Sequence, residues 1–93
     1  MRYPIICDAI AKGLALNLFY DQKNRTIEPY VYGLTKDGNE LLHAWQTSSI
    51  PAGWRAFRLD KSLSLSLTQT KVGPVRPDYN RDDPAMDRIF CER

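Results

Sequence analysis

Residues 62–68 read Ser-Leu-Ser-Leu-Ser-Leu-Thr, a strict alternation of apolar and hydroxyl side chains. Successive side chains on a β-strand point to opposite faces, so the pattern predicts a strand with Leu63, Leu65 and Leu67 buried and the serines in water. A half-buried strand needs partners, and the chain offers them as short runs separated by turn residues. Residues 14–20 alternate in part, with Leu14, Leu16 and Leu18 set against Ala15 and Asn17. Residues 25–34 are rich in Ile, Val and Tyr, and Pro29 among them cannot donate to a ladder, which marks an edge or a bulge. Residues 40–46 and 54–59 complete a set of five strands.

The punctuation agrees with that reading. Asp21-Gln22-Lys23-Asn24 is a polar turn, residues 48–53 form a longer loop, and Lys36-Asp37-Gly38-Asn39 carries the Asp-Gly signal of a tight hairpin. At the start, Pro4 suits a first helical turn, Ile5, Ile6, Ala9 and Ile10 recur at helical spacing, and Gly13 stops the run, so residues 4–12 are expected to be helical. Gly73-Pro74 and Arg76-Pro77 interrupt regular structure and leave an extended tail. Asp82-Asp83-Pro84 is placed to cap a last short helix over 85–90, with Met86, Ile89 and Phe90 turned inward. A five-stranded meander has two exposed edges, and closure removes them. The expected architecture is one mainly β domain over 1–93: helix 4–12, a small five-stranded barrel 14–68, and a tail 69–93 with its short helix.

Composition bounds the function. A chain of 93 residues holds one core, and its 43% apolar and 11% aromatic content is that of a folded domain. A net charge of +2 exerts no bulk pull on nucleic acid, so any anion site must come from local clustering. The two cysteines, Cys7 and Cys91, stand near opposite ends and are expected as reduced, half-buried thiols, because secreted domains this small more often carry several disulfides. No run approaches the ~20 apolar residues of a membrane span, and no signal-peptide layout opens the chain. A cytoplasmic protein without membrane association is expected.

Enzyme chemistry finds little to work with. Nucleophile-elbow, Walker and metal-ligand spacings are absent, and the chain has 1 histidine. His43 reads as a packed or surface imidazole, and Asp82-Asp83 as a helix cap. No catalytic residue, metal or cofactor is expected. Binding is better supplied: Arg25, Arg55, Arg58 and Lys61 lie at or near strand ends, where a guanidinium fork matches phosphate oxygens. Tyr20, Tyr30, Tyr32, Trp45 and Trp54 lie on the same strands, and aromatic faces stack bases at about 1–3 kcal/mol each. The same residues also serve as half-buried core and solvated surface, and strict alternation puts Arg55 and Arg58 on opposite faces.

Four motifs in order resemble a WYL domain. Leu18-Phe19-Tyr20 fits a strand ending in apolar-x-Tyr. Arg25, Ile27 and Pro29 fit Arg-x-Ile/Val-x-Pro, and Gly38 supplies the hairpin glycine. Phe57-Arg58-Leu59-Asp60-Lys61 fits aromatic-Arg-Leu/Val-Asp-Arg/Lys. The likeness covers roughly residues 4 to 70, and the tail with Gly73-Pro74-Val75-Arg76-Pro77 and Tyr79-Asn80 is similar to that of short stand-alone members. Glu40-Leu41-Leu42 stands where Trp-Tyr-Leu would be, so Leu42 alone matches there, and Tyr30 replaces a frequent histidine. The resemblance implies an Sm-like, SH3-type barrel and a bacterial ligand sensor linked to transcription regulation. It also implies recognition of single-stranded DNA or RNA, or a nucleotide effector. Carried over by position, Arg25 and Arg58 are expected phosphate contacts, Arg55 and Lys61 come next, and Tyr30 stacks or hydrogen-bonds. No helix-turn-helix is legible, so a stand-alone sensor is expected. The rival expectation is a protein-interaction or self-association module, with Tyr32, Trp45 and Trp54 as stacking or partner surface and a protein partner or homodimer in place of nucleic acid.

Overall fold

A computed structural model describes residues 2–48, 52–79, 81 and 83–93, with Ser62 and Leu63 described by backbone alone. Helix α1 spans Pro4–Lys12. Its first turn begins at Pro4, where the missing N–H costs nothing, and it ends at Gly13, whose φ of 67° is the left-handed cap that glycine adopts freely. Ile6 and Ala9 are its buried stripe.

Six strands follow: β1 Leu14–Tyr20, β2 Lys23–Leu34, β3 Glu40–Gln46, β4 Gly53–Arg58, β5 Ser62–Lys71 and β6 Arg88–Glu92. Asp21 and Gln22 join β1 to β2 as a two-residue turn with φ of 51° and 61°, the pair of positive angles that matches the twist of a hairpin. Lys23 and Asn24, expected in that turn, therefore belong to β2. Gly38 closes the next hairpin at φ 82°, its N–H donating to Thr35 O at 3.0 Å.

The strands pair antiparallel in the order β4-β3-β2-β1-β5, with β6 added to β2. The sheet is open, so the expected closure into a five-stranded barrel does not form. The chain passes from β4 to β5 through a single 3-10 turn, Leu59–Lys61, and β5 then runs along β1. No pairing joins β4 to β5 among the described residues. Helix α1 packs instead on β1, β2, β5 and β6. The main core holds Ile6, Leu16, Leu18, Ile27, Tyr32, Leu42, Phe57 and Leu59, with Leu65 and Leu67 against it as the alternation predicts. The side chain of Leu63 lies outside the described residues.

Two further expectations are corrected at the C-terminus. Residues 88–92 are a strand, not part of a helix. β2 is twelve residues long and pairs with β1 only as far as Ile27, which leaves Val31–Leu34 free on that side, and β6 fills the gap. Apolar spacing over six residues does not separate helix from strand, and the vacant ladder decides. Asp82 lies outside the described residues. Asp83 still accepts the N–H of Ala85 at 2.9 Å, but it closes a turn and not a helix.

The second correction is covalent. Cys7 and Cys91 form a disulfide, with Cα atoms 5.7 Å apart, that ties α1 to β6. The pairing follows from β6, which carries Cys91 back to the helix that bears Cys7. It also removes the two reduced thiols from the argument for a cytoplasmic location. No helix among the described residues is long and apolar enough to cross a membrane.

Candidate functional site: an aromatic cavity under the C-terminal strap

The site begins with Pro29. The register of β2 on β3 shifts between Pro29 and Val31, so Pro29 marks a bulge, as its missing N–H suggested. Tyr30 is the extra residue. Without the bulge, Tyr30 and Tyr32 would share a face. With it, Tyr32 enters the main core while Tyr30 joins Val31 and Met86 in a second cluster that includes Leu41, Trp45, Tyr79 and Ile89.

Among the described residues, 72–79 and 83–87 lie over this second cluster as a strap. The Arg76 N–H donates to the Tyr30 hydroxyl at 2.8 Å, and its guanidinium pairs with the Glu28 carboxylate at 3.0 and 3.1 Å. That same guanidinium stacks 5.1 Å from the Trp45 ring. The hydrogen bond from Arg76 to Glu28 is the main reason its pKa lies above the ordinary arginine value. Trp54 Nε1 donates to Pro77 O at 3.1 Å. At the chain end, the Arg93 guanidinium donates to the Tyr30 hydroxyl at 2.9 Å and lies 4.9 Å from its ring.

Between strap and sheet is a cavity of about 300 Å³, within the range of small-ligand sites, lined by Tyr30, His43, Trp54, Asp78, Tyr79 and Asp83 together with Val31, Arg55, Ala56 and Pro84. The rings form one array. Tyr30 meets Trp54 edge-on at 4.7 Å and Tyr79 at 4.8 Å, while Trp54 and Tyr79 lie 25° from parallel at 6.1 Å. Burial and the nearby Glu92 raise the Tyr79 pKa, so that ring stays neutral throughout the physiological range. His43 Nδ1 faces the Asp83 carboxylate in close contact, which fixes the orientation of the imidazole.

The residues expected to bind a ligand divide between core and surface. Arg25 is 4% exposed. Its Nε donates to Tyr20 O at 3.2 Å, its Nη1 to Gln46 Oε1 at 2.8 Å, and its guanidinium lies about 6 Å from the Tyr20 and Phe57 rings. It is an interior residue here. Tyr30 walls the cavity but is fully buried. Arg55 also lines the cavity, is exposed, and has no ion pair among the described residues. Arg58 is exposed and paired with Asp60 at 2.9 Å, and Lys61 is exposed at the end of the 3-10 turn. Arg55 pairs in register with Ala44 and Arg58 with Leu41, three apart, so they take opposite faces.

Tyr32 is buried structure. Its hydroxyl accepts the N–H groups of Arg2 and Tyr3 at 3.1 and 3.0 Å and donates to Glu40. Burial first, and the Glu40 bond second, push its pKa up to about 12. Trp45 sits beneath Arg76, whereas Trp54 is 37% exposed.

No family model matches the chain, and no curated protein matches it. A solved structure does. Proteasome accessory factor B/C (PafBC) of Arthrobacter aurescens is similar at 27% identity and a TM-score of 0.67, over 90% of this chain. The chain spans 14% of that protein's length. The likeness is compatible with a WYL-like domain.

Sequence reasoning missed the strap's share of the site. His43 was without a visible partner because Asp83 stands 40 positions away on a tail expected to be extended and helical. Tyr79, Arg76 and Arg93 carry no spacing signal toward β2–β4. The clue within the sequence was Tyr30 following Pro29: a bulge residue with a large polar-tipped ring needs a cover.

Proposed function

We propose that this chain is a regulatory ligand-sensing module that binds a nucleotide-like anionic effector, or single-stranded nucleic acid through the same groups, without transforming it. PafBC is a regulator that carries a WYL domain, and the likeness to it supports the sensing role. The observation that carries the ligand class is Trp54. Its partly exposed ring forms one wall of a cavity that Arg55 also lines, with Arg58 and Lys61 exposed nearby in sequence. A stacking face and unpaired or solvent-exposed cations are what a base joined to phosphate requires. Binding is favoured over turnover because no serine, threonine, cysteine or lysine stands beside the His43–Asp83 pair among the cavity's lining residues.

The test is a titration with labelled single-stranded DNA, single-stranded RNA and nucleoside phosphates at two salt concentrations, with duplex DNA as control. Affinity falls with salt as expected for about two to four phosphate contacts. Arg55→Ala weakens binding several-fold, Arg58→Ala on the opposite face serves as the control that does not, and both leave the fold intact, since the exposed Arg58–Asp60 pair contributes less than about 1 kcal/mol. Salt-insensitive binding, or affinity unchanged in Arg55→Ala, refutes phosphate recognition.

One observation favours a second reading. Among the described residues β4 and β5 end the main strand order of an open sheet, and the exposed Trp54 and Val75 are large apolar side chains on β4 and the strap. A self-association module would use them. Sedimentation at low micromolar protein separates the readings: a persistent dimer that ignores nucleotide supports this one.

A further inference from the structure

The covalent tie and the cavity meet at the last strand. Cys91 lies on β6, and the two residues after it hold the second half of the strap. Glu92 pairs with Arg81 at 3.2 Å, and Arg93 O accepts the Tyr79 hydroxyl at 2.9 Å. The Arg93 N–H donates to Tyr30 O at 2.7 Å, while its guanidinium reaches the Tyr30 hydroxyl and Gly73 O. Tyr30 and Tyr79 are walls of the cavity, so a displacement of residues 91–93 is carried to it directly.

Apart from the disulfide, β6 is weakly held. Among the described residues it pairs with β2 alone, through four residue pairs whose register shifts between Tyr32 and Gly33. Every residue of β6 is half-buried or exposed. The disulfide fixes it to α1, which the core grips through the fully buried Ile6 and Ala9. While the bond stands, β6 cannot leave β2 without pulling on that helix. A strand with one hydrogen-bonded neighbour and few buried apolar contacts sits at the low end of local stability once its cross-link is cut. Cys7 and Cys91 are both half-buried and not sealed in the core, so a small thiol can reach the bond.

We propose that the Cys7–Cys91 bond is a redox latch on the cavity: reduction frees β6 and the second half of the strap, and oxidation closes it. The latch moves whether or not a ligand is present, so it does not depend on the nucleotide reading. The reaction is thiol–disulfide exchange with a dithiol. One thiolate of the reductant attacks a sulfur of the bond, forms a mixed disulfide with that cysteine and expels the other as a thiolate, which takes up a proton. The second thiolate then attacks the reductant's own sulfur in the mixed disulfide, that bond breaks, and the released cysteine thiolate is protonated. Two electrons pass to the protein, the two thiol protons end on Cys7 and Cys91, and the reductant leaves as a cyclic disulfide. The motion is confined. Arg76 keeps Glu28 and the Tyr30 hydroxyl, and Trp54 keeps Pro77 O, so the first half of the strap stays on the sheet. Tyr79, Met86 and Asp83, the partner of His43, lie on the half that comes away, and Trp54 loses the ring stacked beside it.

Hydrogen exchange of the full chain, oxidised and after treatment with dithiothreitol, tests the latch, with acrylamide quenching of the 2 tryptophans as a second reading. Protection over residues 83–92 is expected to fall about tenfold or more on reduction, while protection over 14–20 and 40–46 changes less than about twofold. Quenching is expected to rise because Trp54 gives up Tyr79, and reoxidation to restore both readings. The Cys7→Ala/Cys91→Ala variant should match the reduced chain with or without dithiothreitol, which ties the effect to the bond and not to the reagent. Equal loss of protection over all strands overturns the latch and leaves the bond a staple of the whole fold. Unchanged protection over 83–92 in a chain whose thiols titrate as free overturns it too, because the strap is then held by its side-chain contacts. A fall in protection with unchanged quenching shows β6 released and the cavity still closed, which also refutes the latch.

Discussion

Reducing the Cys7–Cys91 disulfide is expected to cost this protein a large part of its stability. The bond links residues 84 apart, nearly the whole chain, so it restricts the unfolded ensemble about as strongly as one cross-link can. Loop-closure entropy for that separation corresponds to about 4.5 kcal/mol at 25 °C. A domain of 93 residues has a total stability on the order of 5–14 kcal/mol. Reduction therefore removes about a third of that stability at its upper end and nearly all of it at its lower. At about 4–8 °C per kcal/mol for a domain of this size, the thermal midpoint should fall by at least 10 °C. Circular dichroism melts of the oxidised chain, the chain with reductant, and the Cys7→Ala/Cys91→Ala double variant measure the effect, with thiol titration of the unreduced chain expected to find no free thiol. The difference between the oxidised and reduced melts should be unchanged by salt, which separates the covalent term from surface charge. Melts that agree within about 3 °C across the three samples would refute the chain-entropy argument, and free thiols in the untreated protein would refute the pairing itself.

Arg25→Ala should lower stability by about 2–3 kcal/mol in urea unfolding, because it deletes charged hydrogen bonds to Tyr20 O and Gln46 and leaves the Gln46 amide buried without its partner. Gly33→Ala should release β6 from β2: a Cβ there would lie 2.3 Å from Arg88 O and 3.1 Å from Met86 Sδ, a clash on the order of 1–3 kcal/mol that hydrogen exchange would report as lost protection over 88–92. Tyr32 binds its proton more tightly folded than unfolded. Its contribution is thus fully present below pH 10.0 and lost as pH rises toward about 12, at up to ~1.4 kcal/mol per pH unit, and Tyr32→Phe should flatten that alkaline limb of a urea-midpoint profile.

Local chemistry made most of the sheet legible. Pro4 and Gly13 bound α1 where the helical spacing of Ile6 and Ala9 predicts it, and β1 and β3 run over the expected residues. Leu65 and Leu67 face the core because alternation is a property of the strand itself. What failed depended on distant partners. The run from Met86 to Phe90 has too few residues to declare a period, and it became a strand only because β2 outlasts β1. Cys7 and Cys91 met for the same reason. The fifth strand's length to Lys71 and the open sheet also follow from pairing, since a ladder extends as far as its neighbour allows.

The candidate site shows the same division. Arginines and aromatics on short strands were visible, but their faces were not, and the bulge at Pro29–Val31 reassigns the faces. Arg25, in register with Leu18, points to the main core, whereas Tyr30 is displaced to the other side. A ligand surface that looks continuous along the sequence is thus divided by the sheet. Only Trp54 and Arg55, among the expected binders, combine exposure with a place in the cavity. The rest of the cavity lining includes Asp78 and Asp83 of the strap, and the strap is held through Tyr30, Glu28 and a last strand bonded to α1. A strap that both completes the cavity and depends on the last strand for its position makes the cavity and C-terminal docking two parts of one structural unit.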